Sequence, residues 1–147
     1  MDHPYEPDLL AVARRIAVPS LPVRFDPERR WYTRLASGPD HEVWLLTWLP
    51  GQGTDLHDHG GSAGAFLVVS GALTEEVVAG GRLRPHLLAA GAGRRFGPRH
   101  VHRVTNRDDR PAVSLHVYRP ALHRMTRYHL TDGRLRVAEV ALAGVAW

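Results

Sequence analysis

From residue 31 onward the chain is cut into short runs by glycine, proline, serine and aspartate, and this rhythm constrains its fold more than any other feature. The runs fall at 31–36, 42–49, 65–70, 72–79, 82–89, 94–96, 100–105, 113–119, 125–130 and 135–140, with breaks such as Ser37-Gly38-Pro39-Asp40, Gly71 and Gly80-Gly81. Short runs rich in β-branched, leucine and aromatic residues between such breaks are strands, because they end before a helix could sustain itself. Gly80-Gly81 suits a two-residue hairpin. Strands returning at intervals of roughly 8–12 residues predict a sandwich, a jelly roll or a barrel. One helix is predicted, over 8–17, where Leu9, Leu10, Val12, Ala13 and Ile16 form a stripe and Pro19 and Pro22 forbid continuation. No repeat or internal boundary interrupts the 147 residues, which read as a single domain able to bury its own core.

Composition removes several function classes. The chain has no cysteine, so disulfides and thiolate metal sites are excluded together and His, Asp and Glu remain as ligands. No apolar run reaches the roughly 18 residues a membrane span needs. The start, Met1-Asp2-His3-Pro4-Tyr5-Glu6-Pro7, is acidic and lacks the apolar stretch of a secretion signal, so a cytoplasmic location is expected. The formal charge is +4, and all 19 basic residues are arginine. They are scattered rather than banked on one face, and one asparagine, one isoleucine and no lysine mark a codon bias. No nucleic-acid partner is expected, since such a partner requires a clustered basic footprint.

Chemistry concentrates around Gly51-Gln52-Gly53-Thr54-Asp55-Leu56-His57-Asp58-His59. On a strand, residues two apart share a face, so His57 and His59 can reach one metal ion. A second pair, His100 and His102, has the same spacing, and strand geometry alone does not choose between its members for a third ligand. Ser114, His116 and Tyr118 place three polar side chains on one face of another strand. Taken alone, that face reads equally as a hydrogen-bonded core network.

Gly51, five residues, His57-x-His59 and eleven residues to Gly71 resemble the first motif of the cupin superfamily, Gly-x5-His-x-His-x3,4-Glu-x6-Gly. Every fixed position agrees except that of the glutamate, which is Gly64. The second cupin motif ends in His-x3-Asn, and His102-Arg103-Val104-Thr105-Asn106 resembles it and selects His102 over His100. The finer resemblance is to the cysteine dioxygenase (thiol dioxygenase) family, carried by Tyr32-Thr33-Arg34, His57-Asp58-His59-Gly60-Gly61-Ser62, His102 to Asn106, and Ser114-Leu115-His116-Val117-Tyr118.

The resemblance implies an all-β, cupin-type jelly-roll β-barrel over 31–147, with residues 1–30 as a short helical segment packed on it. It implies Fe(II) held by His57, His59 and His102, and oxidation of L-cysteine with O2 to cysteine sulfinic acid. It implies that Arg34 pairs with the substrate carboxylate, as a planar guanidinium can, and that Tyr32 lines the same pocket. Tyr118 would act near the thiolate and dioxygen, with His116 and Ser114 orienting its hydroxyl. The thioether that animal members form from this tyrosine is impossible here, because Gly64 stands at the cysteine position. The ligand set by itself also suits Zn(II). Alternatives are a dioxygenase of 3-mercaptopropionate or another small thiol, and a non-catalytic metal- or ligand-binding cupin. A monomer is the expected state.

Overall fold

This computed structural model describes residues 8–16 and 18–142. Eleven strands follow one short helix, α1 (Leu9–Arg14): β1 (Trp31–Ser37), β2 (Glu42–Trp48), β3 (Leu56–His57), β4 (Ala63–Ser70), β5 (Ala72–Ala79), β6 (Arg82–Ala89), β7 (Gly93–Phe96), β8 (His102–Thr105), β9 (Ala112–Arg119), β10 (Arg124–Thr131) and β11 (Arg134–Leu142). They form a five-stranded sheet, β1-β2-β9-β4-β7, and a six-stranded sheet, β11-β10-β3-β8-β5-β6. Every pairing is antiparallel. This is the expected all-β jelly-roll arrangement with a helix at its N-terminal end.

Two hairpins are closed by residues that tolerate the left-handed backbone. Gly80 and Gly81 have φ of 61° and 72°, and Asp132 and Gly133 have 52° and 75°. Two consecutive positive φ values match the twist of the flanking strands, which is why such pairs close two-residue hairpins. The resulting registers, Ala79↔Arg82 and Thr131↔Arg134, run unbroken along β5–β6 and carry one bulge in β10–β11.

The five-stranded sheet is buried on both faces, so its central strands show two cores. Leu46, Trp48, Phe66 and Val68 point inward and meet Leu73, Val104 and Met125 of the other sheet. Val43, Leu45, Ala65, Leu67, Val113, Leu115 and Val117 point outward and are covered by Leu10 and Ala13 of α1. In β9 the outward residues are therefore the apolar ones, and the polar residues Ser114 and His116 are turned into the barrel. A helix lying on the outer face reverses the usual apolar-in alternation. Burial of this outer face at roughly 25 cal/mol per Å² of apolar surface is what holds α1 in place.

Differences from the expected elements are local. Asp8 caps α1, its Oδ1 accepting the Leu10 N–H at 3.1 Å, and the helix stops at Arg14. The expected extension to residue 17 fails beyond Arg14, and Ala17, like the acidic Met1–Pro7 stretch, lies outside the described residues. A 3-10 turn at Val18–Ser20 follows. β8 begins at His102 rather than His100. β3 was not expected, because two residues are too few to show a period.

Candidate metal centre

β3 is short but sits between β10 and β8, so His57 stands directly across from His102 and on its other side from Arg127. His59 follows just beyond the strand. The ring centroids of the three histidines lie 4.8 Å (His57–His102), 4.9 Å (His57–His59) and 4.9 Å (His59–His102) apart. One nitrogen from each lies within 4.8 Å of the others. All three side chains are buried.

His59 reaches the cluster by a turn and not by strand alternation. Asp58, between the two histidines, accepts hydrogen bonds from the backbone N–H of Gly60 (3.1 Å) and Thr126 (3.0 Å) and from the Tyr128 hydroxyl (2.8 Å). Its own N–H donates to the Thr126 carbonyl at 2.9 Å. The aspartate thus pins the His-x-His turn to β10 and leaves both imidazoles facing inward.

Hydrogen bonds assign the ring nitrogens. His57 Nδ1 lies 2.8 Å from the Asp55 carbonyl, which can only accept, so Nδ1 carries the proton and Nε2 is free to bind. His102 Nδ1 lies 2.8 Å from Glu75 Oε2, with the same consequence. His59 Nδ1 is buried without a protein partner among the described residues. Burial, and then the neighbouring imidazoles, push His57 and His59 well below the ordinary histidine value. His102 is lowered by burial, with Glu75 opposing. Three neutral, converging imidazoles are the ligand form that a transition-metal ion requires, so this donor set fits one metal ion.

Glu75 of β5 was not singled out from the sequence. Burial raises its pKa, but hydrogen bonds from His100 and His102 outweigh that and hold the carboxylate below its usual range. It receives His102 Nδ1 at 2.8 Å, His100 Nε2 at 3.2 Å and Arg94 Nε at 2.9 Å. Glu75, His100 and His102 form a second convergent group, in which His100 meets the carboxylate through Nε2 and His102 through Nδ1, so that His102 keeps Nε2 free. His100 therefore partners Glu75 and does not join the three-histidine cluster. A carboxylate behind a ligating histidine fixes its tautomer and raises its basicity.

Gly64 explains the absent motif glutamate. A Cβ there would lie 2.5 Å from Phe96 Cζ and 2.6 Å from the Val117 carbonyl oxygen. The Phe96 ring occupies the space and stacks on His59 at 4.5 Å between centroids. No side chain fits at position 64 without displacing it.

β9 forms a further wall. Trp48 Nε1 donates to Ser114 Oγ at 2.9 Å, Ser114 Oγ lies 2.8 Å from His116 Nε2, and His116 Nδ1 lies 3.5 Å from the Tyr118 hydroxyl. Burial, then His102 and Arg30, hold His116 down to about 3. Burial also pushes the Tyr118 hydroxyl far above its ordinary value. Both groups are thus neutral at physiological pH.

The cavity bounded by Trp48, His57, His102, His116 and Tyr118 is about 20 Å³. It adjoins an outer space of about 240 Å³ lined by Gly53, Asp55 and Arg127, and Arg30, Thr54, His57 and Met125 line both.

The arginine at this site is Arg30, half-buried just before β1 with its guanidinium 5.3 Å from the Trp48 ring centroid. Arg34, expected to pair with the substrate carboxylate, is placed elsewhere. Arg34 is half-exposed, 3.9 Å from Glu42 Oε2 and 6.0 Å from the Trp44 ring, and does not line the cavity. The cause is register. Arg30, Tyr32 and Arg34 share a face, but Arg34 pairs with Trp44 and Tyr32 with Leu46, and only Arg30 reaches the level of Trp48. Tyr32 is half-buried against the inner core, edge-on to Trp44 at 5.9 Å, and does not line the cavity either. The structure brings together His57, His59, His102, Ser114, His116 and Tyr118, and leaves Arg34 and Tyr32 outside.

Comparison with known proteins bears on this geometry. The family model described as cysteine dioxygenase type I matches residues 20–131. No curated protein sequence matches the chain. Among solved structures, the protein TT1209 from Thermus thermophilus is 26% identical over 67% of this chain and 90% of its own, with a TM-score of 0.60. A double-stranded β-helix protein from Klebsiella pneumoniae is 22% identical over 85% of this chain and 97% of its own, with a TM-score of 0.62. An RmlC-like cupin from Desulfovibrio desulfuricans is 22% identical over 74% of this chain and 100% of its own, with a TM-score of 0.58. The last two likenesses bear on the fold alone. Among the described residues no helix is long and apolar enough to cross a membrane.

Proposed function

The chain belongs to the type I cysteine dioxygenase family, and on that premise we propose that it oxidises L-cysteine with O2 to cysteine sulfinic acid, using Fe(II) held by His57, His59 and His102. The observation that carries this reading is the buried cluster of three neutral histidines with no carboxylate among them. Bound ferrous ion would supply the redox centre, and neutral ligands leave its positive charge free to attract a thiolate.

The chain's own residues supply recognition. Arg30, rather than Arg34, is the proposed anchor of the substrate carboxylate. It has no carboxylate partner among the described residues, lies against Trp48 and borders both the inner cavity and the outer space. Such a guanidinium can form paired hydrogen bonds to a carboxylate. The Trp48 ring limits its movement, and burial lowers its pKa without removing its charge. Tyr118 offers a neutral hydroxyl to the same cavity. The protein is proposed to act as a monomer.

The deciding experiment is anaerobic loading with Fe(II), followed by oxygen and a panel of thiols, with sulfinate read by mass spectrometry. The expected result is iron-dependent oxygen uptake matched by cysteine sulfinate. Sulfinate yield unaffected by removing iron would overturn it. A second reading keeps the site but takes 3-mercaptopropionate. It is favoured by the absence, among the described residues, of any acidic side chain around the inner cavity to meet the amino group of cysteine. The relative kcat/KM of the two thiols separates these readings.

A further inference from the structure

The polar face of β9 ends on Trp48 of β2, whose strand runs beside it with Leu46 opposite Ser114 and Trp48 opposite Ala112. We propose that Trp48 sets the direction of the hydrogen-bond chain, holding the proton of His116 on Nδ1 so that Tyr118 faces the cavity as a donor and not as a base. The inference rests on the proposed function only for what Tyr118 would meet there.

An indole N–H donates and never accepts, so Trp48 Nε1 takes one lone pair of Ser114 Oγ at 2.9 Å. Ser114 is fully buried, and the other partner of its Oγ among the described residues is His116 Nε2, at 2.8 Å. If Nε2 carried the hydrogen, the serine hydroxyl would be left with a buried proton and nothing to accept it, an arrangement that folded proteins avoid. Ser114 therefore donates and His116 Nε2 accepts.

A neutral imidazole that accepts at Nε2 carries its proton on Nδ1. His116 is neutral, because burial holds it down to about 3. Its Nδ1–H then faces the Tyr118 oxygen at 3.5 Å, a long contact in which the tyrosine accepts. The tyrosine's own hydrogen is left to turn elsewhere, and the cavity shared with His57, His102 and Arg30 is open to it.

The opposite polarity would have the opposite consequence. A proton on Nε2 would leave Nδ1 to accept from Tyr118, and the cavity would meet a lone pair that repels anions. The polarity chosen here suits an anionic ligand such as a thiolate or carboxylate. It also prevents His116 from taking the tyrosine's proton, since Nδ1 is occupied. Trp48 acts through Ser114 and His116 and is a positioning residue.

The test is 15N NMR of protein labelled at histidine, recorded metal-free and with zinc as a diamagnetic ion, with the His116 signals assigned by their loss in His116→Gln. The expected spectrum shows an unprotonated Nε2 and a protonated Nδ1 for His116. Trp48→Phe keeps an aromatic ring but removes the donor, and the Nε2 signal should move toward the protonated range. Ser114→Ala removes the next link without touching the indole and should move it likewise. A protonated Nε2 in the unaltered protein would overturn the proposal, whichever variants fold. So would an unchanged His116 spectrum in a folded Trp48→Phe. Neither result depends on thiol turnover, so failure of the dioxygenase reading would be seen separately, as missing sulfinate.

Discussion

His57 and His59 stand two residues apart, as do His100 and His102, yet the first pair contributes both rings to the three-histidine cluster and the second contributes one. The difference lies in what each pair faces. Asp58 is bonded to β10, which turns both of its neighbours inward. His100 and His102 instead share Glu75, which takes Nδ1 of one ring and Nε2 of the other. Spacing nominates ligands, and the hydrogen-bond partner of a ring decides which of its nitrogens stays free.

The comparison breaks most directly at the rings themselves. His57→Ala or His102→Ala should abolish stoichiometric metal binding and turnover, measured by metal analysis of purified protein and by sulfinate yield. His100→Ala should keep the metal. Equal metal loss in all three would mean that the two pairs are equivalent after all.

Arginine position is next in size. Loss of a charge-assisted carboxylate contact costs about 1.5–3 kcal/mol, so Arg30→Gln should lower kcat/KM for cysteine by roughly 10- to 150-fold. Arg34→Gln, at a half-exposed side chain 3.9 Å from Glu42, should change it by about twofold or less. The reverse ranking would restore Arg34 as the anchor.

Glu75→Gln sharpens the role of the shared carboxylate. Removing such an outer partner of a ligating histidine weakens metal binding by about 10- to 100-fold, to be read by competition with a chelator. Unchanged affinity would reduce Glu75 to a packing residue.

Acid should separate this site from ordinary surface histidines by a graded effect. An unfolded chain takes up protons near 6.5, whereas His116 in the fold resists them down to about 3. The unfolded state therefore binds more protons in that window, and stability falls as pH drops below 6.5 and levels off near 3. The slope is about 1.4 kcal/mol per pH unit for each such group, and the lowered His57, His59 and His102 act in the same direction. Urea melts of metal-free protein at stepped pH measure this, and a flat profile between pH 7.5 and 5.5 would count against burial of neutral imidazoles.

Much of the molecule was legible before folding. All ten strand runs appear as strands, because each carries its own turn signals and none needs a distant partner to be recognised. His57, His59 and His102 were legible through motif spacing, and Ser114, His116 and Tyr118 through their shared strand face. Arg30 was hidden because Arg30, Tyr32 and Arg34 have the same parity, and parity does not say how far along the barrel each residue lies. Glu75 and Trp48 were hidden because their importance lies in bonds to residues 27 and 66 positions away. The two-residue β3 left no pattern at all.

The order of residues alone determined an all-β chain with one helix, free of thiols, carrying a His-x-His pair and a polar face on β9. These properties rest on local backbone preference and side-chain chemistry, which need no distant contact. Tertiary structure alone decided which arginine meets the cavity, that Glu75 stands behind His102, and that Phe96 fills the space at Gly64. Those outcomes depend on register between strands far apart in the chain, and a shift along a strand moves a side chain to another level of the barrel without changing the alternation that the sequence displays.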